Sequence, residues 1–162
     1  MAETPRYLGI AEFVERLSLE LVSAPLGQCE DEAQLRAAVA QVVRGFTEES
    51  LAPLNLHYHI CDKEGLQPVL IFGADFYPDM VIEVGSFPAV AFILKLIGEE
   101  LELKISSAIG QALLYSQHYP AVIALILGPE VGEPHKHWLD WEFKADLWRR
   151  HKIKLIIREQ AE

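Results

Sequence analysis

Residues 121–127 read AVIALIL, an uninterrupted apolar run directly behind Pro120. It is far too short to cross a bilayer, which takes ~20 residues. The proline closes any helix that comes before it, and the branched side chains favour a strand. A strand with no polar face has to be covered on both sides. A sheet sandwiched between helices is therefore the architecture to expect, and the rest of the chain has to supply those helices.

It does. Tyr7–Val22 carries Ile10, Phe13, Val14, Leu17 and Leu21 on one helical stripe, and SAPLGQ then breaks the pattern at Pro25 and Gly27. Asp31 can cap a second helix reaching Phe46, with Leu35, Ala38, Val39, Val42 and Phe46 at the 3.6-residue period. Strand character follows in Leu56–Cys61, Pro68–Phe72, Met80–Val84 and Ala89–Ile97, the last two joined by the turn composition GSFP. Ile105–Tyr119 suits a helix, His137–Arg150 a tryptophan-rich helix, and Ile153–Arg158 a last strand. One α/β domain is expected, with residues 1–27 as an N-terminal helical extension and 28–162 as the core. A central mixed sheet would be flanked by helices.

Composition narrows the function classes. Half of the residues are hydrophobic, which rules out a disordered chain. No apolar run approaches ~18 residues, and MAETPRYLGIAEF lacks the basic start and apolar stretch of a secretory signal. With Cys29 and Cys61 as the only cysteines, a disulfide framework or zinc site is not expected, and the cytoplasm is the default compartment. The net charge of −10 argues against a general nucleic-acid coat. That charge is unevenly placed, because residues 1–134 hold 7 Lys/Arg against 19 Asp/Glu while residues 135–162 hold 7 against 5. The cationic tail is either a solvated helix and strand face or a basic surface.

One constellation carries chemistry. Tyr77-Pro78-Asp79 opens a hairpin, Lys95 lies on its second strand, and Gln111 and Tyr115 are one turn apart on the next helix. Pairing Val84 with Ala89 across the turn would set Asp79 opposite Leu94, diagonal to Ile93 and Lys95 and ~5 Å from its neighbouring strand. FYPDMVIEV, then FILKL, then AIGQALLY resembles the PD-(D/E)XK nuclease superfamily, including the QxxxY helix of its RecB-type branch. The likeness covers roughly residues 55–127 and follows that family's restriction-endonuclease-like αβββαβ order, with the helix at Asp31–Phe46 leading.

The resemblance implies Mg²⁺-dependent hydrolysis of DNA in restriction, repair or defence, with Mn²⁺ as substitute metal. It implies Asp79 as metal ligand, Lys95 as the residue that orients water, and Gln111 and Tyr115 as supporting or substrate-touching groups. Such a metal polarises a phosphoryl oxygen and lowers the pKa of bound water, and an ammonium stabilises the charge that grows in the transition state. One position departs from the pattern: two residues before Lys95, where the family carries an acid, this chain has Ile93. Glu83 is ~13 Å along the strand from Asp79, and Asp75 is as far in the other direction. Glu32, Glu48 and Glu49 remain as acids that another helix might bring in.

Simpler readings stand beside these. An Asp after Pro suits a turn, and a lone strand Lys can extend to solvent. His57/His59 and His135/His137 are pairs without a third ligand. Trp138, Trp141 and Trp148 can stack bases, pack as an amphipathic face or meet a partner. Two functions follow: a metal-dependent nuclease on DNA, or a nuclease-like binding or assembly module that meets a protein partner or a second copy of itself. No membrane partner is expected.

Overall fold

The computed structural model describes residues 9–52, 57–61, 65–98, 100–128 and 141–160. Two helices come first, α1 (Ile10–Ser23) and α2 (Glu32–Leu51). Asp31 caps α2 by accepting the Gln34 N–H at 2.8 Å, and the Gln34 side chain accepts the Glu30 N–H at 2.9 Å in return. Strand β1 (Tyr58–Cys61) precedes a small separate hairpin of β2 (Val69–Ile71) and β3 (Ala74–Phe76). The chain continues through β4 (Met80–Val84), β5 (Phe87–Leu96), α3 (Leu101–Tyr115), β6 (Ala121–Gly128), α4 (Trp141–His151) and β7 (Ile153–Glu159).

The five-stranded sheet has the order β1-β4-β5-β6-β7. Its first three strands form an antiparallel meander, and β6 and β7 add in parallel. Every residue of β6 is buried, as its composition requires. Alternation divides it between two cores. Ile123, Leu125 and Leu127 join Phe92 and Leu94 against α1 and α2, through Leu17, Leu21, Leu35 and Val39. Val122, Ala124 and Ile126 join Ala91 and Ile93 beneath α3 and α4, through Ala108, Ala112 and Leu147. The alanines on that second face let α3 lie close to the sheet. Val14, Leu17 and Leu21 of α1 are fully buried in the first core.

Two expectations change. The β4–β5 register is not the one read from GSFP. Gly85, at φ +65°, makes a tight two-residue turn, so Val84 faces Phe87 instead of Ala89. An irregularity between Ile82 and Glu83 then shifts the pairing, and Met80 meets Phe92. Continuing that register sets Asp79 against Ile93 rather than Leu94. The Pro68–Phe72 run also stays out of the main sheet: Phe72 and Gly73, both with left-handed backbone, turn it into the β2–β3 hairpin, with Phe72 wholly exposed at the tip. Helix α4 begins at Trp141, and His135, His137 and Trp138 lie outside the described residues.

Gly45 is an interior residue of α2, and apart from its chain neighbours and its own helix backbone no described atom lies within 4 Å of where its Cβ would sit. Glycine there forgoes helix stability with no packing reason inside the fold. Gly45→Ala is expected to raise the unfolding free energy by about 1 kcal/mol in urea titration. A loss of stability would show a constraint on Gly45 that the fold does not display.

Candidate functional site

Asp79 sits where the chain enters β4, behind the buried Pro78. Its backbone N–H donates to the Phe92 carbonyl at 2.9 Å, and its Oδ2 accepts the Leu94 N–H at 2.8 Å. The side chain thus continues the ladder one step past the end of the strand and straddles Ile93. Oδ1 lies 3.6 Å from Nη2 of Arg36 on α2. Both side chains are largely shielded, at 25% and 20% exposure, so water screens this pair less than a surface one. Arg36 Nε is buried and has no hydrogen-bond partner among the described residues. Arg36, Leu66, Tyr77, Pro78 and Asp79 line a cavity of about 360 Å³.

Tyr115 comes to Asp79 from the other helical layer. Its ring is 3% exposed, and Tyr119 meets it edge-on with centroids 6.4 Å apart. Burial, then the charge of Asp79, then Tyr119 push the Tyr115 hydroxyl up to about 12. Gln111 is half-buried one helical turn before it, and Lys95 is half-buried on β5 just beyond Leu94. By strand alternation Lys95 shares the α3-facing side with Ile93. Neither the Lys95 nor the Gln111 side chain has a hydrogen bond or ion pair among the described residues.

So Tyr115 feels the charge of Asp79, and Lys95 lies on the face of the sheet that α3, with Gln111 and Tyr115, covers. Among the described residues, none of Glu32, Glu48, Glu83 and Asp75 is brought to them. Ile93 is 1% exposed and packs in the α3-side core. Glu32 pairs with Lys104 at 3.8 Å, and the Lys104 ammonium donates to the Leu96 carbonyl at 2.6 Å. Glu48 accepts the Tyr58 hydroxyl at 2.7 Å, and Tyr58 pairs with Val84 at the far end of β4. Glu83 is beside His59, and Asp75 belongs to the separate hairpin. Among the described residues no three His, Cys, Asp or Glu side chains are grouped so as to hold a metal ion.

A magnesium ion needs near-octahedral oxygen coordination, commonly one or two carboxylates plus waters. The described residues do not fit it. Asp79 already holds a backbone N–H and a guanidinium, and the alkyl side chain of Ile93 fills the next position. Arg36 was not foreseen from sequence, although a cation beside the apolar Leu35 and Val39 of a capped helix is a readable signal for a shielded charge.

The cationic tail is largely spent internally. Arg149 pairs with Asp146, and Lys152 and Lys154 stand over the Trp148 ring at 5.0 and 4.6 Å. Arg158 donates to the Leu21 and Ala24 carbonyls at 2.6 and 2.8 Å, closing the end of α1. Trp148 itself donates to Glu15 at 2.9 Å, whereas Trp141 is exposed.

Comparison with family models, curated proteins and solved structures found no match. No described helix is long and apolar enough to cross a membrane.

Asp79→Asn keeps the shape but removes the counter-charge of a shielded guanidinium, so a loss of about 1–2 kcal/mol in urea titration is expected. Asp79→Ala should cost more, because the Leu94 N–H is orphaned as well. Equal effects would exclude the backbone bond as a contributor. Tyr115 gives a second prediction. Its folded pKa lies above the unfolded value near 10, so its contribution to stability is complete below pH 10 and disappears as pH rises towards 12. Stability should fall by roughly 1.4 kcal/mol per pH unit across that window, and Tyr115→Phe should flatten the slope. An unchanged slope would refute the assignment.

Proposed function

We propose that this chain is a PD-(D/E)XK-like domain in which metal-dependent cleavage has given way to binding: a non-catalytic assembly module that meets a protein partner. Support for the nuclease-like origin is the order α2, β1, β4, β5, α3, β6, an antiparallel meander followed by a helical crossover to a parallel strand. Asp79 before β4, Lys95 on β5, and Gln111 and Tyr115 on α3 support the same reading. The observation that carries loss of cleavage is Arg36 against the Asp79 carboxylate, with Ile93 buried where a second acid would stand. A guanidinium supplies one fixed positive charge and no exchangeable water, so it stabilises the fold without generating a nucleophile.

Charge supports a protein partner over DNA. The net charge is −10, and four of the tail's cations are engaged within the chain. A groove for phosphates needs cations free to displace counterions. The competing nuclease reading draws on Lys95, which is free to act among the described residues.

Titration calorimetry with Mg²⁺ and Mn²⁺, paired with a DNA-cleavage assay, separates the two. The wild-type chain is expected to bind neither ion at millimolar concentration and to leave DNA intact. Metal-dependent cleavage that Asp79→Ala abolishes would overturn the module reading. Arg36→Ala combined with Ile93→Glu frees one carboxylate and adds another, and is expected to gain Mn²⁺ binding that neither single change confers.

A further inference from the structure

Arg36 is a shielded cation whose hydrogen-bonding capacity the fold leaves unused. A guanidinium carries five N–H donors in one plane. Among the described residues Arg36 donates no hydrogen bond: its contact with Asp79 Oδ1, at 3.6 Å, is an ion pair only, and its buried Nε has no partner. Asp79 is half used as well. Its Oδ2 accepts the Leu94 N–H, whereas Oδ1 accepts no hydrogen bond among those residues. Shielded donors and acceptors are costly to leave unmatched, and a bound molecule is one of the few things that matches them.

The cavity of about 360 Å³ at this pair has room for one. Its other walls are Leu66, Tyr77 and Pro78. Leu66 precedes β2 and Tyr77 follows β3, so both stems of the small hairpin contribute to it. An apolar cavity with a few convergent polar groups is the usual form of a small-molecule site, and such sites begin at roughly 300 Å³.

Charge selects the ligand. The guanidinium and the carboxylate stand side by side, so the polar end of the cavity is neutral as a whole and offers a donor next to an acceptor. A carboxylate or phosphate would satisfy Arg36 but set a second anion against Asp79. An ammonium or amidinium would satisfy Asp79 but face Arg36. A hydrocarbon would leave both groups unmatched. A carboxamide or lactam edge presents a carbonyl oxygen and an N–H side by side and carries no charge. Its oxygen accepts from Arg36, its N–H donates to Asp79 Oδ1, and the body attached to it meets Leu66, Tyr77 and Pro78.

We infer that the Arg36–Asp79 cavity is a binding site for a small neutral molecule that carries a carboxamide or lactam edge on an apolar body. This rests on the reading of the Asp79 site as non-catalytic and names the chemistry it holds in place of a metal.

The test titrates the full chain, in EDTA, with benzamide, and follows ligand-observed NMR. Benzoate and benzamidine, which share the ring but carry opposite charges, are the controls. Benzamide is expected to bind at millimolar concentration, and each control at least about ten-fold more weakly, a difference of roughly 1.4 kcal/mol. Leu66→Trp fills the cavity without touching the charged pair and should weaken benzamide binding by at least the same factor. Removing one charge should exchange the preference: Asp79→Asn leaves the guanidinium and favours benzoate, and Arg36→Gln leaves the carboxylate and favours benzamidine. Thermal melts check that each variant is folded, and the comparison of the three probes on the wild-type chain needs no variant. No benzamide binding would mean that water alone serves Arg36 and would overturn the proposal. So would equal binding of the three probes, or indifference to Leu66→Trp. DNA cleavage in the separate metal assay sinks the non-catalytic reading whatever benzamide does, and loss of benzamide binding without cleavage sinks the ligand site alone, so the two failures are distinguishable.

Discussion

Burial of β6 on both faces is the constraint on which the other elements depend. Because its side chains alternate between two dry interfaces, neither helical layer is optional, and each strand beside it inherits the same division. The α1–α2 layer takes the bulky residues Phe92, Leu94, Ile123 and Leu125. The α3–α4 layer takes Ile93, Val122 and Ile126 together with Ala91 and Ala124, and Tyr115 of α3 is buried in that core. The position of the candidate site is thus a by-product of how the two cores were filled. Asp79, at the entrance to β4, is paired with Arg36 from one layer, and its charge acts on the buried Tyr115 of the other.

Much of this was legible before any coordinates. The Asp31 cap, the AVIALIL strand and the MVIEV strand each announce themselves through local chemistry, and each is found where expected. The difference in hairpin register, two residues at the turn and one at Asp79, has a local cause too. GSFP has the composition of a longer loop, but Gly85 supplies the left-handed backbone that a two-residue turn needs, and the strand irregularity after Ile82 then takes up one residue of the difference. The β2–β3 hairpin was missed because Phe72 is an improbable residue for positive φ and nothing nearby advertised a turn except Gly73.

The site was less legible than the fold, for a physical reason. Asp79, Lys95, Gln111 and Tyr115 are near one another in sequence, and periodicity can place them. Arg36 comes from a helix more than forty residues away, and its meeting with Asp79 depends on how α2 lies across the sheet end, which no local pattern encodes. Ile93 was readable as a departure, but whether another acid compensated for it was a tertiary question. Glu32, Glu48 and Glu83 are each engaged elsewhere or lie at the wrong end of a strand.

A counter-ion that is part of the polypeptide behaves unlike one drawn from solution. It cannot be chelated, diluted or exchanged, so the entrance to β4 keeps its shape whatever the divalent supply of its surroundings. The same permanence works as an evolutionary ratchet. Changing Arg36 alone strands a shielded carboxylate, and placing an acid at the position of Ile93 alone puts a charge into a packed hydrocarbon layer. Each of these two single steps towards a two-carboxylate centre therefore passes through a less stable chain. Once a guanidinium is seated beside Asp79, drift among neutral neighbours keeps it there.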